Sequence, residues 1–220
     1  MNATTTAGDA NSTADLIAES LRIDILRGKL KSKQPLRQDE IAARFGVSKI
    51  PVREALFQLK AEGLVTFFPN RGAAVSELSP AEVDEIYIMR MALETVALRR
   101  AIPNLTIANL TQAEEILQAM DQERNAARWG EFNWEFHATL YYPANLPRLM
   151  EWVKILHANV ARYLIIYLAG MDYQLASQRE HREILDACRH GDVEAAAAHL
   201  GQHLQCAADH LITFLNQREP

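Results

Sequence analysis

The sequence predicts a mainly α chain in two parts. The first is a unit of three helices and a small two-stranded hairpin. The second is an all-α antiparallel bundle of six to seven helices. Three observations carry this reading. Apolar residues recur at helical spacing almost everywhere except 64–76, where two short β-type runs flank Pro69-Asn70-Arg71-Gly72. The chain is punctuated at Leu78-Ser79-Pro80, with Glu82 completing an N-cap, proline and capping-box signal for a helix start. The charge also divides there. Arg22 to Ser76 carries 11 Lys/Arg against 5 Asp/Glu, and Ser79 to Pro220 carries 12 against 19.

Taken in order, residues 1–12 are small and polar and are expected to be a disordered tail. Residues 13–77 form the first unit, with helices at about 14–28, 38–45 and 49–61 and strands at 64–68 and 73–76. Residues 78–79 read as a linker, and 80–217 as the bundle. Its helices fall at about 80–101, 106–128, 130–141, 146–169, 173–190 and 192–217, with Gly130, Gly170 and Gly191 among the breaks. The whole chain has a net charge of −5, 49% apolar and 23% charged residues, the composition of a soluble globular protein. A basic unit on an acidic body is the asymmetry of a chain that meets phosphates through one domain. Cys188 and Cys206 lack metal-type spacing and read as reduced thiols. Met1–Thr13 lacks a signal-peptide layout, and the longest apolar run, Tyr163–Met171, is too short to span a bilayer. The expected location is the cytoplasm, with no membrane partner.

Gly46-Val47-Ser48 is a tight turn between two short helices, which makes a helix-turn-helix. On the second of them Val52, Ala55, Leu56 and Leu59 form one core stripe, with Lys49, Arg53 and Lys60 beside it. A basic face on a short helix suits the major groove, where Arg and Lys donate to guanine. Ser48 is placed to cap that helix or to bond a phosphate. Arg71-Gly72 puts a cation at the hairpin tip, where it can enter a minor groove.

Residues 20–76 resemble the winged helix of GntR-type bacterial regulators. The match runs through Ile25-Leu26-Arg27-Gly28, Phe45-Gly46-Val47-Ser48, Pro51-Val52-Arg53-Glu54-Ala55-Leu56, Glu62-Gly63-Leu64-Val65 and Pro69-Asn70-Arg71-Gly72. The resemblance implies DNA contacts at Ser48, Lys49, Arg53, Arg71 and Gly72. Lys49 stands where Arg is common, and Asp39 where many members carry a DNA-contacting Arg. Arg37 is a nearby substitute for the latter.

The bundle contains seven histidines. His181 shares a stripe with Ile184, Leu185 and Cys188, and Asn133 and His137 share a helix face. Periodicity alone does not choose among His199, His203 and His210. Residues 80–217 look like the helical FCD domain of FadR-type regulators, through Ile88–Glu94, Asn133-Trp134-Glu135-Phe136-His137, Glu180–Ala187, Gly191-Asp192 and His203-Leu204. That resemblance implies a divalent metal held by an acid and three histidines, mapped onto Asn133, His137, His181 and His203. Asn replaces the acid, which lowers metal affinity and leaves the ion its full charge for an anionic ligand. Three imidazoles and an oxygen suit zinc or nickel. Arg90 lies in the middle of an apolar stripe and needs a partner, either Glu94 one turn on or a ligand carboxylate. The expected function is a transcriptional regulator, by default a repressor. It would bind a short palindromic operator as a homodimer and answer to a small organic acid. The alternatives are a metal-free sensor of the same fold and a metal-dependent hydrolase, for which Glu135 is the candidate base but points away from Asn133 and His137.

Overall fold

The computed structural model describes residues 12–168 and 173–217, so the tail expected at residues 1–12, Ser12 apart, and the break expected at Gly170 lie outside the described residues. The chain divides into two compact units at Glu77/Leu78.

In the first unit, α1 (Thr13–Leu26), α2 (Gln38–Phe45) and α3 (Lys49–Ala61) accompany β1 (Pro35–Leu36), β2 (Val65–Phe68) and β3 (Gly72–Val75). Ser12, expected in the tail, is the N-cap of α1. Its hydroxyl accepts from Asp15 N, and the Asp15 carboxylate accepts from Ser12 N. The sheet has three strands rather than two, in the antiparallel order β1-β3-β2. Leu36 pairs with Ala73 and Val65 with Val75. Two residues are too few to print a period-2 pattern, so β1 is invisible in the sequence. Gly46 ends α2 with φ 65°, a left-handed conformation that costs glycine nothing and turns the chain into α3. Ile17, Leu21, Ile25, Val52, Leu56, Leu59 and Leu64 close the core.

The second unit holds α4 (Pro80–Ala101), α5 (Ile107–Gln122), α6 (Ala126–Tyr141), α7 (Pro147–Leu168), α8 (Tyr173–Arg189) and α9 (Val193–Asn216). Two short 3-10 turns, Ile102–Asn104 and Tyr142–Ala144, carry the corners after α4 and α6. The expected break at Gly130 does not occur. α6 runs through it and the chain breaks earlier, where Asn125 caps the amides of Ala127 and Arg128. One glycine inside a helix costs only about 1 kcal/mol, less than the buried face of α6 returns. α4 packs against α9, α7 and α6, α5 against α6 and α8, and α8 against α9. Tyr87, Leu98, Leu117, Phe136, Tyr141, Leu200 and Leu211 are buried at the centre. Leu78, expected in a linker, is buried in this core, and its N–H donates to the Tyr163 hydroxyl at 2.7 Å. Cys188 is buried and its thiol is pushed up to about 12 by desolvation.

His157 on α7 is also buried, 4.9 Å ring to ring from Trp134. Burial, and then the charge of Arg90, push its imidazole down to about 3.

Two outcomes follow from this packing. Ser79 and Glu82 form the reciprocal cap of α4, with bonds of 2.8 and 3.2 Å, so Ser79→Ala is expected to destabilise the second unit by about 1 kcal/mol. Trp129, Trp134 and Trp152 all lie in that unit, so urea unfolding followed by tryptophan fluorescence reads it directly. The unfolded chain protonates His157 near pH 6.5, whereas the folded chain holds it neutral down to about pH 3. Stability is therefore lost as pH falls through this window. His157→Phe should remove about 2 kcal/mol of the loss between pH 7 and pH 5. An unchanged pH dependence would mean that His157 does not titrate differently in the two states.

Candidate metal centre and nucleic-acid interface

Three histidines from three helices converge in the second unit: His137 from α6, His181 from α8 and His203 from α9. One ligand atom of each lies within 4.8 Å of the others. The ring centroids are 5.1, 5.2 and 4.6 Å apart for 137–181, 137–203 and 181–203. All three are buried, and the ring of Phe136 lies 4.8 Å from that of His181. His190, His199 and His210 are exposed or half-exposed and pair elsewhere, with the Asp186 carbonyl, the Glu183 carboxylate and the Cys206 carbonyl. Geometry thus selects His203 where periodicity did not.

The surroundings fix which nitrogen of each ring carries the proton. Tyr141 donates its hydroxyl to Glu94 Oε2 at 2.9 Å, so its oxygen accepts from His137 Nδ1 at 3.1 Å. Gln178 spends its amide N–H groups on the Leu117 carbonyl and Asp121 Oδ1, at 3.1 and 2.8 Å. Its oxygen therefore faces His181 Nδ1, 3.0 Å away. His203 Nδ1 lies 2.8 Å from Glu180 Oε2, a carboxylate that can only accept. Each Nδ1 is thus a donor. Nε2 of His137 and of His181 is buried without a hydrogen-bond partner. Burial, reinforced by the neighbouring imidazoles, holds both rings well below the usual histidine range and hence neutral. Neutral imidazoles with outward Nδ1–H bonds and converging Nε2 lone pairs are the donor set of a borderline divalent cation.

A carboxylate stands behind every ring: Glu180 directly behind His203, Asp121 through Gln178, and Glu94 through Tyr141. Tyr141, Gln178 and Glu180 escaped the sequence reading. Tyr141 and Gln178 sit four and three residues from their histidines, on the same helix faces, which is the signal that could have found them. Asn133 is buried one turn before His137. Arg90 is buried, with its Nε 2.6 Å from Glu94 Oε1 and its guanidinium 4.9 Å from the Tyr87 ring centre. Glu94, one of the two partners weighed for it, is in contact. Glu135 is exposed, on the other side of α6 from His137.

In the first unit, Arg37, Lys49, Arg71 and Gly72 line one shallow groove together with Asp39. Two of its cations are internally paired, Lys49 with Asp39 at 2.5 Å and Arg37 with Glu40 at 3.0 Å. Ser48 occupies the N-cap position of α3 and is exposed, but its hydroxyl makes no capping bond. Arg53 is exposed on α3 and lies over Phe57, which stacks on Phe67 of β2 at 4.8 Å. Lys60 lies over the Phe67 ring, 5.9 Å from its centre. The aromatic brace joining α3 to the hairpin was missed because Phe57 lies off the core stripe.

Residues 13–75 match the bacterial regulatory proteins of the gntR family, and residues 85–205 match the FCD domain. The chain is 30% identical over 191 residues to the HTH-type transcriptional repressor RspR of Escherichia coli K12, covering 84% of this chain and 82% of that one. It is 33% identical to a solved GntR-family transcriptional regulator from Pseudomonas syringae pv. tomato DC3000, with a TM-score of 0.61 and coverage of 94% and 87%. The E. coli McbR/YncC structure superposes with a TM-score of 0.80 at 25% identity, covering 95% of this chain and 99% of the other. These relatives are transcriptional regulators and not enzymes, and no described helix is long and apolar enough to cross a membrane. A winged helix-turn-helix followed by an all-helical FCD domain places this chain in the GntR family of DNA-binding transcriptional regulators.

Proposed function

We propose that this regulator binds a short palindromic operator as a homodimer in the cytoplasm, and that a small organic acid bound in its helical unit sets operator affinity. Repression is the default direction, as in the E. coli relative. One observation carries the effector half: Nε2 of His137 and of His181 is buried beside His203 with no hydrogen-bond partner from the chain, while all three Nδ1 atoms are already engaged. Zinc or nickel held by His137, His181, His203 and the Asn133 carbonyl oxygen would complete these groups and offer a charge of +2 to a carboxylate. Arg90 is the cation that meets the acid in this reading, with Glu94 holding it in place. The acid regulates only if it binds one arrangement of the dimer better than another.

The second reading, a metal-free sensor, draws on Asn133, which supplies no negative charge. Elemental analysis before and after chelation separates the two. About one zinc or nickel ion per chain supports the metal reading, and no ion and no uptake supports the second. Glu180→Gln keeps the shape but weakens the acceptor behind His203, so metal affinity should fall about 10- to 100-fold. Unchanged affinity would remove Glu180 from the site.

On the DNA side, Ser48, Lys49, Arg53, Arg71, Gly72 and Arg37 form the proposed contact set. Arg53→Ala should weaken operator binding by about 1–3 kcal/mol and relax base preference. Asp39→Asn should do the reverse for affinity, because it frees Lys49 for a phosphate. Binding should tighten on specific and random DNA alike, with a log–log salt slope steeper by about one. Equal affinities of wild type and Asp39→Asn across a salt series would show that Lys49 does not reach the backbone.

A further inference from the structure

The outward face of α3 carries an isoleucine where a solvated surface would carry a polar residue. Ile50 is 70% exposed, whereas Val52, Ala55, Leu56 and Leu59 of the same helix are fully buried. At about 100° per residue, those core residues centre about 190° round the helix from Ile50. Ile50 thus stands opposite the core, in the first turn of α3, two residues after the N-cap position at Ser48. Arg53 and Glu54, one turn on, are exposed on either side of it. Lys49, Arg53 and Lys60 fall together on one flank, within about 100° of Ile50.

The chemistry of this position narrows what it can meet. An isoleucine side chain has no donor and no acceptor, so it gains nothing from a phosphate. The cations on the flank answer the strand backbone, and Glu54 repels a phosphate brought to the other side. In the major groove most of what the bases present is polar: N7 and O6 of guanine, N4 of cytosine, N7 and N6 of adenine and O4 of thymine. The thymine C5 methyl is the apolar exception. Residues at the start of a recognition helix are the ones that reach base edges. An isoleucine pressed on the polar atoms would strip their water and return no hydrogen bond. Pressed on a methyl, it removes apolar surface from water on both sides. β-Branching also leaves Ile50 one strongly preferred χ1 in a helix, so it has little rotamer freedom to lose on contact.

We infer that Ile50 reads a thymine, packing on its C5 methyl at one position of each operator half-site. The inference rests on the reading of α3 as the helix that enters the major groove. It adds to the cationic contacts of that helix a residue that selects a base by its apolar group.

Replacing thymine by uracil in the DNA tests it, because this removes the methyl and keeps every hydrogen-bonding group. The full chain is used to enrich a duplex from a pool of random duplexes. Each thymine of the enriched duplex is then replaced by uracil in turn, and binding is followed by fluorescence anisotropy. For the wild-type chain, one position in each half-site should cost about fourfold in affinity when its methyl is lost. For Ile50→Ala, the thymine and uracil forms should bind alike. Ile50→Val keeps a β-branched apolar side chain and should keep the discrimination. Affinity for random duplexes, and its salt dependence, should be the same in all three chains, because no charge changes. If no thymine matters to the wild type, or Ile50→Ala pays the same uracil penalty, the inference is overturned and the DNA reading stands. An equal loss by Ile50→Ala on enriched and random duplexes also overturns it, since Ile50 would then be structural. Failure to enrich any duplex overturns both. Ile50 is exposed, and far-UV circular dichroism checks that each variant folds.

Discussion

Burying three imidazoles from three helices against one another is the constraint on which the helical unit is organised. An imidazole has two nitrogens with opposite needs, and in a core neither can turn to water. Here the donor side of each ring is answered by a different device: a tyrosine on α6, a glutamine on α8 and a glutamate of α8 that reaches α9. Each device ties two helices together. Tyr141 binds α6 to Glu94 of α4, Gln178 binds α8 to Asp121 of α5, and Glu180 binds α8 to His203 of α9. The register of α4, α5, α6, α8 and α9 is thus set by the same bonds that aim the lone pairs inward. A slip of one turn in any of them would leave a polar group unanswered, at about 1–3 kcal/mol each.

The first unit is held by simpler means, an apolar core and a glycine turn, and its specific feature is electrostatic. Cations gathered on one groove repel one another and invite phosphate, yet Lys49 and Arg37 are each partly answered by an adjacent acid. The Phe57–Phe67 stack adds a mechanical element. It joins the exposed side of α3 to the hairpin, so helix and wing present their cations as one surface.

Much of this was legible in the sequence, for identifiable reasons. Helices with sharp ends were readable because the chemistry of their ends is local: Ser79-Pro80-Glu82 announces α4, and Gly46 announces the turn before α3. Gly130 misled because the buried stripe of α6, with Trp129, Asn133 and His137, outweighs the weak propensity of one residue. β1 could not be read because its partner lies almost forty residues away. At the candidate site the three histidines were named through resemblance, and what selects His203 over His199 and His210 is its convergence with His137 and His181 from two other helices. The carboxylates behind two of the rings were hidden for the same reason: Asp121 and Glu94 lie on other helices and reach the histidines through Gln178 and Tyr141.

The two bare Nε2 atoms have a consequence that does not depend on what occupies the space between them. A buried acceptor without a donor raises the free energy of the folded chain and leaves that of the unfolded chain untouched. Any guest that answers those lone pairs, whether an ion, a water molecule or an acidic proton, finds its partners assembled in the folded state alone. Occupancy therefore pulls the folding equilibrium toward the native chain by mass action, and the gain grows with the logarithm of guest concentration. For this regulator, how far that space is filled and how hard the helical unit is to melt are one quantity seen from two sides.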